Sequence, residues 1–158
     1  MAPSPREKAY GSPLPANLSQ WLSVLLNRAA QQTRDLFNSY LQPLHLTSKG
    51  FAALSMLQEQ PAPSQIDLAH LLNIDRTTMV AVIDDLERHH FVTRTRHPHD
   101  RRLYLITLTP AGHEVYQQAQ HAAKRSEEEY FACFTQEQRE QLRTLLQQLL
   151  QAKSDHSL

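Results

Sequence analysis

Long apolar runs are missing from these 158 residues. A transmembrane helix, which needs about 18 or more consecutive apolar residues, is therefore not expected, nor is a membrane partner. The opening stretch MAPSPREKAYGSPLPA has no apolar core of a secretory signal, and its prolines and small residues suggest a flexible arm over residues 1–16. A single cysteine, Cys133, excludes an internal disulfide framework and fits a reducing cytosol, so a cytoplasmic protein is expected. Glycine is equally scarce, at three, and with many Leu, Gln and Ala residues this argues for a mostly helical chain. No glycine-rich phosphate loop, nucleophile elbow or paired-carboxylate motif appears, so neither an enzyme nor a cofactor is expected. Sixteen basic residues balance sixteen acidic ones, so net charge alone says nothing for a polyanionic partner.

What is present centres on Ser64 to Thr107. Ser64 and Asp67 form an S-x-x-D capping pattern ahead of an apolar stripe of Leu68, Ala69, Leu71 and Leu72. Asn73 and Ile74 make a tight connection to a second helix, which Asp75 caps. There Met79, Val82, Ile83 and Leu86 recur at spacings of three and four, so one face is buried. Arg76, Thr77 and Thr78 fill the exposed first turn, whereas Asp84, Asp85 and Glu87, further along, would repel phosphates. Next, FVTRTR and LYLIT alternate as strands do, on either side of HPHDRR with its turn residues Pro98 and Asp100. Helix, turn, helix and a small wing of two or three strands is a winged helix-turn-helix in a mainly α chain. Arg88, Arg94, Arg96, Arg101 and Arg102 crowd the same stretch, where Asp100 is the only acid among the wing residues. Such a basic patch is the electrostatic footprint of a nucleic-acid reader.

In chain order, one helix is predicted from Asn17 to about Leu41, with Leu18, Trp21, Leu22, Leu25, Leu26, Ala29, Leu36, Phe37 and Leu41 on its apolar face and Pro43 as its breaker. Thr47 looks like the cap of the next helix, which the prolines at 61–63 end. Thr109 with Pro110 starts a long helix predicted to run past Tyr130. Thr135 and Gln138 make a capping box for a last helix with the stripe Leu142, Leu145, Leu146, Leu149 and Leu150. The expected division is an arm at 1–16, a dimerisation helix at 17–46, the winged module at 47–108 and dimerisation helices at 109–158. The long terminal helices are surplus to a winged module's own core, and pairing with a second copy gives them a partner.

The runs LAHLLNIDRTTMVAVIDDLE, FVTR and DRRLYLITLTPAG resemble the MarR family of bacterial transcriptional regulators. The most specific part is Asp100-Arg101-Arg102, an alternating strand and Leu-Thr-x-x-Gly ending at Gly112. The resemblance covers nearly the whole chain. It implies a triangular homodimer joined by N- and C-terminal helices, which binds short palindromic double-stranded DNA as a repressor and is released by a small, often aromatic or phenolic, effector. On that pattern Arg102 is the wing-tip arginine, suited to a narrow A·T minor groove. Arg101 contacts a phosphate or braces the wing, and Asp100 braces it by pairing with an arginine. Arg76, Thr77 and Thr78 face bases and phosphates, and Arg94 and Arg96 join the DNA-binding set. Ser64 and Gln65 open the preceding helix, where N–H groups can hold a phosphate. The effector pocket is implied between the dimer helices and the DNA-reading lobe, with Trp21, Arg28, His45, Phe51 and Met56 as linings by location only.

Two departures from the family pattern stand out. His90 occupies the position of a usual glycine after the recognition helix, and a left-handed conformation there carries strain of about 1 kcal/mol. His97 and His99 stand in the wing where an acid is common, which predicts tighter DNA binding as pH falls toward 6. Nine histidines raise a metal-responsive alternative. However, His113 and His121 are too far apart along a helix, His89 and His90 diverge, and a meeting of His45 with His113 has no evident third ligand, so no metal is expected. Cys133, between Phe131 and Phe134, is expected to be a buried structural thiol. A winged module that binds protein is the remaining reading, and steep salt dependence of DNA binding separates the two.

Overall fold

The computed structural model describes residues 14–59, 63–97 and 103–154, and side chains through Ala152. Its elements are α1 (Ala16–Ser19), α2 (Leu22–Leu41), a 3-10 turn (Gln42–Leu44), α3 (Ser48–Glu59), α4 (Gln65–Leu71), α5 (Arg76–Arg88), β1 (Val92–Arg96), β2 (Tyr104–Leu108), α6 (Pro110–Tyr130) and α7 (Gln136–Ser154). Among the described residues, no helix is long and apolar enough to cross a membrane.

The helix starts are set locally. Ser64 and Asp67 complete a reciprocal capping box, Asp75 accepts from Thr78 N–H at 2.9 Å, and Thr109 accepts from Gly112 N–H at 3.0 Å. Thr47 Oγ1 accepts from Gly50 N–H at 3.1 Å, and Thr135 and Gln138 bond reciprocally at 2.9 and 3.3 Å. Each such cap satisfies amide groups that a helix end leaves without partners. Between α4 and α5 the chain turns at Asn73, whose φ of 49° is one an asparagine tolerates.

Two boundaries differ from the sequence reading. The helix expected from Asn17 to Leu41 is broken at Gln20 and Trp21, the latter extended at φ −95° and ψ 117°. Ser19 Oγ and Gln20 Nε2 donate to the carbonyls of Ala16 and Asn17, the acceptors that a continuing helix would use next. At the other end, α6 stops at Tyr130 instead of running past it, with Phe131 as its C-cap.

The core joins the winged module to the long helices. Leu41 from α2, Leu54 from α3, Leu68 from α4, Met79, Ile83 and Leu86 from α5, Val92 and Ile106 from the wing and Ala119 from α6 are almost fully buried. Burying each of the larger side chains contributes roughly 1.5–3 kcal/mol. β1 and β2 pair antiparallel from Val92 with Leu108 to Arg96 with Tyr104. A third strand is reduced to one bridge from Ser64 to Leu105, supported by Ile106 N–H on the Pro63 carbonyl at 3.1 Å. The wing is thus two-stranded and hangs on the start of α4.

Candidate nucleic-acid interface

α5 buries Met79, Ile83 and Leu86 and turns its opposite face outward. Arg76 and Thr77 are exposed at its N-terminal end, while Thr78 is half-buried with its amide held by Asp75. A forked cation and a hydroxyl therefore project from the positive end of a helix dipole, which suits approach to a phosphate-lined groove. The hydrogen bonds from Thr78 hold the Asp75 carboxyl below its ordinary value, with Lys49 adding a smaller pull in the same direction.

The wing beside this helix carries Arg94 and Arg96 on one face of β1. Arg96 is exposed. Arg94, expected among the DNA contacts, is engaged within the protein: its guanidinium bridges Asp84 Oδ1 and Glu87 Oε2, both at 2.5 Å, and its side chain is only 19% exposed. Arg88 likewise pairs with Asp85 at 2.7 Å. The three acids expected to repel phosphates therefore pair with two arginines, Asp84 and Glu87 sharing Arg94. Asp100, Arg101 and Arg102, together with Pro98 and His99, lie outside the described residues.

Ser64, also expected to face DNA, is turned into its own helix cap. It is buried, its hydroxyl donates to Asp67 Oδ2 at 2.7 Å and accepts from Asp67 N–H at 3.2 Å, and its own N–H donates to the same carboxylate at 2.9 Å. The cap takes up the hydroxyl and amide of Ser64 and the amide of Asp67. Gln65 is half-buried, with its side-chain Nε2 out of contact with solvent.

The five expected effector linings are dispersed. Trp21 is 59% exposed at the α1–α2 break, and Arg28 is half-buried on α2. Phe51 meets Phe37 edge-to-face at 5.3 Å and stacks on Tyr116 at 5.6 Å, and Met56 packs on the same core. His45, left-handed at φ 53°, stacks on His89 at 5.2 Å. His113 instead bonds the Gln58 amide at 2.8 Å. A cavity of about 400 Å³ missed by sequence reasoning lies between α2 and α6, lined by Thr33, Arg34, Phe37, Ser48, Ser126 and Tyr130 among others. Elsewhere between the same two helices Tyr40 donates to Glu129 at 2.6 Å, a bond that raises the phenol above its ordinary value, and Arg125 lies 5.1 Å over the Tyr40 ring. Residues from α2 and α6 thus form one polar-edged pocket, but their helical spacing gives no sequence sign of it.

An apolar groove of about 960 Å³ separates α2 from α7, walled by Leu22, Leu25, Leu26, Phe134, Leu145 and Leu149. Cys133 lines it and is exposed, which corrects the expected buried thiol: the turn after α6 points into the groove instead of the core.

Comparison with known proteins agrees with this geometry. The sequence model of the MarR family matches residues 46–104, which include α3, α4, α5 and β1. The homoprotocatechuate degradative operon repressor of Escherichia coli is 30% identical over 129 residues, covering 79% of this chain and 87% of that protein. Against the curated relatives, the aligned part spans between 63% and 87% of their length. A solved structure of the transcriptional repressor CouR bound to a 23-mer DNA duplex is similar with TM-score 0.78 and 30% identity, covering 88% of this chain and 99% of that one. BpsR of Bordetella bronchiseptica, whose DNA binding is regulated by 6-hydroxynicotinic acid, is similar with TM-score 0.75 and 28% identity, covering 86% and 97%.

Proposed function

Since this chain belongs to the MarR family of DNA-binding transcriptional regulators, we propose that it is a repressor that binds a palindromic operator as a homodimer and leaves it when a small aromatic effector binds. The observation that carries the reading is the outward N-terminal end of α5, with Arg76 and Thr77 exposed beside the basic wing. Arg76 offers a guanidinium that can grip guanine O6 and N7, and Thr77 and Thr78 position the backbone. Arg102, Arg101 and Arg96 supply the wing's cations, with Arg102 in the minor groove and Asp100 as brace. The names of similar proteins support a repressor, and one supports control by an aromatic acid. The cavity between α2 and α6 is the effector's place, where Arg34 can hold a carboxylate and Phe37 can flank a ring. Its occupation changes the spacing of the two recognition helices away from the roughly 34 Å that successive major grooves require.

Fluorescence anisotropy on the palindromic DNA upstream of its own gene, at two salt concentrations, tests this reading. Wild-type binding is expected to be tight and salt-sensitive. Arg102→Ala should weaken it about tenfold and lower the salt slope by about 1. Absence of binding to this DNA and to random duplex at low salt would move the protein-binding reading of the winged module to the front.

A further inference from the structure

We infer that Arg94 is a positioning residue for DNA binding, acting through Asp84 and Glu87 of the recognition helix without touching DNA; the inference rests on the DNA-binding reading above. Arg94 sits in β1 opposite Ile106, whose fully buried side chain anchors the wing in the core. From that fixed strand its two terminal nitrogens reach separate carboxylates on α5, each at 2.5 Å. Asp84 and Glu87 are three residues apart, so they share one side of the helix, and one planar guanidinium can take both.

Two consequences follow. Mechanically, the fork ties the wing to the recognition helix at a point well past the exposed Arg76, so the angle between the two DNA-facing elements is set by a short, directional link. Electrostatically, its single positive charge halves the negative charge of this carboxylate pair on the helix that must lie against phosphates. The carboxylates are about half exposed, 48% and 41%, whereas the arginine is largely covered. An uncompensated pair there would project its field into the groove. Lysine at this position keeps the charge but cannot fork, so it should restore the electrostatic share and not the angular one.

A double-mutant cycle separates this role from direct contact. DNA affinity and salt slope are measured for wild type, Arg94→Gln, Arg94→Lys, Asp84→Asn/Glu87→Gln and the triple variant. Urea unfolding of each keeps folding defects apart from binding. Arg94→Gln is expected to weaken binding about tenfold in the wild-type background, but less than about twofold once both carboxylates are neutral. Its salt slope should match wild type, and Arg94→Lys should fall between wild type and Arg94→Gln. An equal loss in both backgrounds, with a slope smaller by about 0.9, would make Arg94 a phosphate contact and overturn the inference. Should Arg94→Gln not fold, Arg94→Lys made in both the wild-type and the Asp84→Asn/Glu87→Gln backgrounds carries the same comparison. Wild-type binding tests the DNA-binding reading by itself, whereas the inference stands on ratios among variants.

Discussion

Gly112 and His90 meet at the point where the wing returns to α6. A Cβ added at Gly112 would lie 2.0 Å from the Phe91 carbonyl oxygen, a distance that only a backbone shift can relieve. That carbonyl already accepts from Thr109 N–H at 3.1 Å and from its hydroxyl at 3.2 Å, so it has little freedom to move. The Leu-Thr-x-x-Gly run therefore has a steric cause: threonine caps α6 and bonds the preceding loop, and glycine lets the helix approach it. One residue earlier in that loop, His90 holds φ 59°, the left-handed conformation anticipated from its place after the recognition helix. The two sites predict opposite outcomes. Gly112→Ala should destabilise by about 3 kcal/mol through overpacking, and His90→Gly should stabilise by about 1 kcal/mol by relieving strain. Urea unfolding midpoints read both, and an unchanged midpoint for Gly112→Ala would refute the contact.

At the scale of elements, the α4 cap makes stability respond to acid. The hydrogen bonds from the Ser64 hydroxyl and amide hold the Asp67 carboxyl below its ordinary value, and those from Thr78 do the same for Asp75. A carboxyl with a depressed folded-state pKa adds stability that is full above the unfolded value, about 3.9, and is lost as pH falls through the folded value. Ser64→Ala removes two of the three bonds between Ser64 and Asp67. At pH 7 it should cost about 1 kcal/mol, and below pH 4 its unfolding midpoint should fall less steeply than that of wild type. Parallel acid limbs would show that Asp67 takes no part. Such elements could be read before the fold was known because a cap and its partner lie three residues apart, as do the leucines of a helical stripe. The break at Trp21 escaped that reading, since it depends on two side chains competing for carbonyls. The partners of Arg94 escaped it as well: a crowd of arginines is visible along the chain, but the carboxylates that Arg94 meets are seven and ten residues away on another element. The cavity between α2 and α6 joins residues from Ala30 to Phe131 and leaves no local pattern.

The whole molecule leaves its most apolar helix faces uncovered. Leu22 is 83% exposed and Leu150 70%, and Leu22, Leu145 and Leu149 line the groove that also holds Cys133. Exposed stripes of this size on two long helices mark an interaction surface, and a second copy filling the gap would give α7 a packing partner. Two copies pairing through these helices would give the two-fold arrangement that a palindromic site requires. Leu145→Glu combined with Leu149→Glu should therefore shift sedimentation from twice the 18.2 kDa chain mass to the single chain. Affinity for the palindrome should drop about 100-fold, because each half-site is then bound without the effective concentration that linkage supplies. Cys133 gives an independent reading of the same event. Its thiol should alkylate slowly in the wild-type dimer and rapidly in the double variant, since the groove that exposes it in the protomer is the surface a partner covers. A wild-type protein that sediments as a single chain and alkylates at the rate of the variant would sink the dimer and require another occupant for the leucine faces.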